Sequence, residues 1–133
     1  MADTFELEIA TPDRLLVRER VTEAQIPALN GYIGVLPGHA ALLSKLGTGD
    51  LTYLAGGRLR HLAISEGYLE VLDDHVRVLA RVAEMADEID LARAETALQR
   101  ANERLHHPEL GVDVGRALNA VKRAQARLDA AKK

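Results

Sequence analysis

Along the first part of the chain, apolar and polar positions alternate. Phe5, Leu7 and Ile9 are separated by Glu6 and Glu8, the period of two that marks a strand with one face buried. Pro12 and Asp13 supply a turn before Leu15, Leu16 and Val17, and a second long strand is predicted from Val21 to Leu29, interrupted by Pro27. It closes at Asn30-Gly31, a strong hairpin dipeptide. Leu51 to Leu54 and Leu59 to Ile64 flank Gly56-Gly57 as another hairpin, and Tyr68, Val71 and Leu72 lead through Asp73-Asp74 to Val76, Val78 and Ala80. Strands at intervals of eight to twelve residues predict a β-sandwich or barrel.

The period then changes. Leu91, Ala94, Leu98, Ala101 and Leu105 are spaced 3-4-3-4, as are Val114, Ala117, Val121, Ala124 and Leu128. Each set is one stripe on a helix. Asp87, Glu88 and Asp90 stand at the start of the first helix, where carboxylates cap exposed N–H groups. The run from His106 to Gly111, with Pro108 inside it, separates the two helices. Glycine follows the same division, since eight of the ten lie between Gly31 and Gly67. The prediction is an α+β chain: a β-sandwich followed by an antiparallel helical hairpin. The alanine-rich seam should form readily yet bury little apolar area, which suits an element able to dock, undock or extend.

Composition removes several functions. The chain of 133 residues has no Cys, which excludes disulfides, thiolate nucleophiles and cysteine-ligated metals. Aromatic content of 3% and a net charge of −3 give no stacking platform or basic excess for nucleic acid. No apolar run is long enough to span a bilayer, and Asp3, Glu6 and Glu8 near the start do not suit a secretory or transit peptide. Charge is nonetheless uneven. Residues 112–133 hold six basic groups (Arg116, Lys122, Arg123, Arg127, Lys132 and Lys133) against Asp113 and Asp129. Lys132 and Lys133 complement a helix C-terminus; the arginines higher up are either a solvated face or a surface for an acidic partner or polyphosphate.

Catalytic and metal motifs are weak. His39, His61, His75, His106 and His107 form no metal-ligating array, and no metal is expected. Gly31, Gly34 and Gly38 match no phosphate-loop pattern and read as loop glycines with positive φ. Asp73, Asp74 and His75 can be drawn as the centre of a stand-alone hydrolase, but two exposed carboxylates in a turn are the simpler account. One constellation stands apart. Ile89-Asp90-Leu91-Ala92-Arg93-Ala94 opens the first helix, and Arg123 and Arg127 share a face of the second. In a closed antiparallel hairpin these arginines approach Asp90 and Arg93. They either hold an anion such as a nucleotide or remain solvated and paired with Asp90.

These residues resemble the epsilon subunit family of the F-type ATP synthase over essentially the whole chain. The resemblance is carried by Gly31-Tyr-Ile-Gly-Val-Leu-Pro-Gly-His-Ala-Ala-Leu-Leu-Ser44, by Ser65 to Val71 with Val76 to Ala80, and by the motif at Ile89 to Ala94. Ala41 departs from the proline usual in the first stretch. The resemblance implies a ten-stranded sandwich over residues 1–86 and a helical hairpin over 87–133. It implies a non-catalytic rotor subunit, peripheral on the cytoplasmic side of the cell inner membrane. Its sandwich would touch the gamma subunit and the c-ring through Gly31, Gly34, Pro37, Gly38 and His39. Extended, its hairpin would present Arg116, Lys122, Arg123 and Arg127 to an acidic segment of the catalytic beta subunits, beside alpha, and block hydrolysis. Folded, it would bind ATP through Glu84, Ile89, Asp90, Arg93, Ala94, Arg100, Arg123 and Arg127. An ATP-insensitive brake is the alternative.

Overall fold

The computed structural model describes residues 3–107 and 113–132. Their elements are β1 (Phe5–Ala10), β2 (Leu15–Val21), β3 (Glu23–Ala28), β4 (Gly31–Val35), β5 (Leu42–Lys45), β6 (Gly49–Ala55), β7 (Arg58–Leu72) and β8 (His75–Met85). A short 3-10 turn, Ala86–Glu88, leads to α1 (Leu91–His106) and α2 (Val114–Ala131). The expected helix break at Pro108 to Gly111 and the terminal Lys133 lie outside the described residues.

The sheet runs β2-β1-β8-β7-β6-β3-β4, with β5 also on β7. Among the described residues only β1 and β8 pair in parallel; the other ladders are antiparallel. The α+β class is as expected, but the described residues hold eight strands rather than ten. One of the two is accounted for by β7, which runs without a break from its pairing with β6 to its pairing with β5. Its first part, Arg58 to Ile64, pairs with β6, and Tyr68 to Val71 pair with β5. Between them Glu66 (φ 58°) and Gly67 (φ 130°) bend the strand, while its register on β8 is the same on both sides of the bend. A Cβ at Gly67 would collide with the Leu79 carbonyl oxygen, so no other residue fits there.

Alternation fills the core. Phe5, Leu7, Ile9, Leu51, Tyr53, Leu62, Ile64, Leu69, Val76 and Val78 point inward from their strands and belong to one buried cluster. The strand expected from Val21 to Leu29 is β3, Glu23–Ala28, while Val21 itself ends β2. The backbone N–H and the hydroxyl of Thr22 both donate to the Leu54 carbonyl, so the chain leaves β1 and joins β6 at that residue. Two of the three predicted two-residue turns form: Gly56-Gly57 link β6 to β7, and Asp73 and Asp74, at φ 49° and 57°, link β7 to β8; the third is displaced by one residue, since Ala28 pairs with Gly31 and the β3–β4 turn is Leu29-Asn30 instead of Asn30-Gly31.

The hairpin lies on the outer face of this sheet. Leu62 and Ile64 face the core, so Ala63 between them faces away and meets Ala126 and Ala130 of α2, with Ile89 beside them. α2 therefore buries two faces. Ala117, Ala124 and Leu128 belong to the stripe predicted to meet α1, whereas Ala126 and Ala130 rest on the sandwich. α1 packs on α2, and α2 packs on β6 and β7. Alanine at each contact lets helix and sheet approach closely while burying little area per residue.

Candidate functional site

The site forms where β8 ends and α1 begins. Ala63 pairs with Glu84 across the β7–β8 ladder, so Glu84 projects on the side that α2 covers. Asp90 is the N-cap of α1, its carboxylate accepting from the Arg93 N–H at 3.0 Å. Glu88 closes the turn before it by accepting from the Met85 N–H at 3.1 Å and from Arg14 at 2.9 Å. Arg127 reaches down from α2 and its Nε donates to Glu84 at 2.6 Å, with each side chain 30% exposed. Between these groups is a cavity of about 340 Å³ lined by Glu84, Glu88, Asp90, Arg93, Ala94, Ala97 and Arg127. That size lies at the lower end of the range typical of small-molecule pockets.

Five of the eight expected nucleotide ligands thus share one cavity: Glu84, Asp90, Arg93, Ala94 and Arg127. The other three do not line it. Ile89 is turned into the Ala63–Ala126–Ala130 cluster and holds the base of α1 to the sandwich. Arg100 is exposed on α1, further along the helix than the cavity reaches. Arg123 sits one turn before Arg127 on α2, where it lines a narrow cleft with Glu84 and Arg127 and a larger cavity with Arg81 and Arg116. The closed hairpin therefore brings Arg127 to the Asp90 end but leaves Arg123 nearer the middle of the sheet. Arg127 takes Glu84, not Asp90, as its partner. Glu88 and Ala97 line the cavity as well. The sequence marked Glu88 only as a start signal, because its role depends on Arg14, distant along the chain.

The loop residues proposed as a partner surface gather at the other end of the sheet. Gly31 and Gly34 lie on β4, an outer strand of the main path. Gly31 and Gly38 have positive φ, but Gly34 does not; its place is opposite Gln25, whose side chain a Cβ there would crowd at 3.1 Å. Pro37, Gly38 and His39 follow, and the Gly38 N–H donates to Asp74 Oδ1 at 2.7 Å. Asp74 is thus a turn residue that ties two loops together. Leu36, Leu43 and Leu72 are half or more exposed, as is Tyr32, whose hydroxyl accepts from the Asp50 N–H. Arg116 and Lys122 are exposed on α2. Among the described residues no group of three or more His, Asp or Glu is placed to hold a metal, and no helix is long and apolar enough to cross a membrane.

Comparison with known proteins agrees with this division. Residues 4–86 match the beta-sandwich domain of the ATP synthase delta/epsilon chain, and residues 87–132 match its long alpha-helix domain. The ATP synthase epsilon chain of Solibacter usitatus is 60% identical over 133 residues, covering 100% of this chain and 99% of that one. That of Koribacter versatilis is 50% identical over 105 residues, 79% of this chain and 74% of its own. Among solved structures, a chain of the Euglena gracilis mitochondrial ATP synthase, from its OSCP/F1/c-ring assembly, superposes with a TM-score of 0.84 at 26% identity, covering 100% of this chain and 84% of that one. Sandwich, hairpin and full-length similarity together show that the chain belongs to the ATP synthase delta/epsilon chain family, with the epsilon chains as its relatives.

Proposed function

We propose that the chain is the non-catalytic epsilon subunit in the central stalk of an F-type ATP synthase. It reports ATP through a hairpin that docks on its sandwich. The loop end at Gly31, Gly34, Pro37, Gly38 and His39 meets the gamma subunit and the c-ring, and the exposed Tyr32, Leu36 and Leu43 supply apolar area for that contact. The subunit is peripheral on the cytoplasmic side of the inner membrane.

The observation that carries the nucleotide reading is the cavity at the seam. Its lining comes from β8, from the linker, from α1 and from α2, so it exists only while the hairpin is docked. Arg93 and Arg127 supply guanidinium forks for phosphate oxygens; Glu84 and Asp90 accept hydrogen bonds from ribose hydroxyls or an adenine amine. A ligand that binds only the docked form stabilises it by about 2.7 kcal/mol at 100 times its Kd. When the hairpin leaves, Arg123 and Arg127 join Arg116 and Lys122 as a basic face for the acidic segment of beta.

Calorimetry of the whole chain with ATP is the test. Saturable binding that falls at least tenfold in Arg127→Ala or Arg93→Ala supports the reading; a flat titration at millimolar ATP removes the sensing role and leaves the stalk role in place. One observation favours an ATP-insensitive brake instead, since the Arg127 guanidinium has a carboxylate partner in Glu84. In that case removing residues after Glu88 raises hydrolysis by the assembled synthase equally at low and high ATP.

A further inference from the structure

The turn between β7 and β8 breaks a local rule. A two-residue hairpin loop with positive φ at both positions favours glycine at the second, because that backbone conformation crowds a Cβ. Here the second position is Asp74, at φ 57°. Its carbonyl accepts from the Glu6 N–H at 2.9 Å, where β1 begins its parallel pairing with β8, and its Oδ1 accepts from the Gly38 N–H at 2.7 Å. The first bond needs only backbone, and glycine would supply it. The second needs the side chain, so a strained residue stands where its carboxylate reaches another loop, a pattern that points to function.

The donor is a particular amide. Residues 36–39 form a turn closed by the His39 N–H donating to the Leu36 carbonyl at 3.2 Å, with Pro37 second and Gly38, at φ 83°, third. Proline followed by a residue of positive φ is the signature of a type II turn. Types I and II differ in the orientation of one peptide, the one that joins the second and third residues. The Gly38 N–H belongs to that peptide. A carboxylate accepting from it makes a charge-assisted bond that holds the peptide one way up, and planarity then aims the Pro37 carbonyl to the opposite side.

We propose that Asp74 is a positioning residue for the loop of residues 36–39: its carboxylate selects the type II turn and so fixes how Leu36, the Pro37 carbonyl and His39 are presented to a partner. This rests on the reading of that loop as part of the contact with gamma and the c-ring. Glycine at position 74 would relieve the backbone and keep the bond to Glu6, but would leave the Pro37–Gly38 peptide free to turn over.

The test uses the full chain and its Asp74→Gly, Asp74→Asn and Leu36→Ala variants. In NMR spectra of the parent, the Gly38 amide proton should lie downfield, as a carboxylate-bonded amide does, and give a strong cross-peak to the Pro37 α proton, the mark of a type II turn. Asp74→Gly should keep the denaturant midpoint at or above the parent's, yet move the amide proton upfield and weaken the cross-peak. Asp74→Asn, which keeps an oxygen acceptor without its charge, should fall between the two. Affinity for the isolated gamma subunit should drop at least fivefold in Asp74→Gly and in Leu36→Ala. An unchanged amide shift and cross-peak in Asp74→Gly overturn the proposal. So does a gamma affinity kept in Asp74→Gly but lost in Leu36→Ala. If the cross-peak weakens in Asp74→Gly while both variants bind gamma as the parent does, Asp74 still selects the turn, and the reading of this loop as a gamma contact falls instead.

Discussion

The sandwich and the hairpin bury their residues by different means. The interior of the sandwich is built from Phe, Tyr, Leu, Ile and Val, many of them completely shielded from solvent. The hairpin meets it through Ala63, Ala126, Ala130 and Ile89, three of them the smallest side chain that still has a Cβ. Hydrophobic stabilisation scales with buried apolar area, at about 25 cal/mol per Å², so the second contact is much the weaker. The sandwich is therefore the better-buried region, and the docked position of α2 depends on additions. One is the ion pair of Arg127 with Glu84. A contact with so little apolar area can be opened by a partner without unfolding the rest, a difference suited to a moving regulatory part.

Three changes break or sharpen this contrast. The largest effect is expected from Leu62→Ala, which empties a fully buried position beside the bend of β7. It should cost about 2–5 kcal/mol of sandwich stability, seen as a lower denaturant midpoint; a loss under 1 kcal/mol would mean the two regions are not so different. Next, Ala126→Leu overfills the contact on Ala63, where Ala126 is 3% exposed. Overpacking costs about 1–3 kcal/mol, and amide exchange should quicken along α2 while β1, β7 and β8 stay protected. Exchange rising in the strands too would show that helix and body open as one unit.

The smallest effect concerns the linker. Arg14 holds the Glu88 carboxyl below its ordinary value through a hydrogen bond, with the Met85 N–H as the second cause. A carboxyl lowered in the folded state contributes stability that is present above its unfolded value, roughly 4.3, and is lost as the pH falls through the lowered folded value. The pin on the linker should thus hold at neutral pH and release in acid. In Arg14→Ala, an NMR titration should find the Glu88 carboxyl returned toward its ordinary value; an unchanged titration would show that Arg14 is not the cause. Glu88 is substantially exposed, so the contribution to overall stability is small.

Much of the candidate site was readable because its signals are local. The cap at Asp90, the helical stripes and the turn at Asp73-Asp74 each depend on neighbours within a few positions, and they formed as the pattern predicted. Arg123 does not line the Asp90 cavity, because helical periodicity places it on the face of Arg127 but says nothing of how far that face slides along α1. Glu88 was read as a cap because its partner, Arg14, is 74 positions away in the chain. Ala126 and Ala130 carried no signal, since alanine is equally at home on a solvated helix.

By itself the sequence determined the elements and their order, because alternation, helical period and turn chemistry act over a few residues and choose the local backbone. It also determined which charges were available for an anion. Tertiary structure alone decided that β7 runs through the bend at Glu66-Gly67 instead of ending there, and that α2 turns Ala126 and Ala130 to the sheet. It also gave Arg127 to Glu84 and Arg123 to the larger cavity with Arg81. Those outcomes depend on where two packed surfaces come to rest against each other, and that balance of close approach and ion pairing is set by residues far apart in the chain.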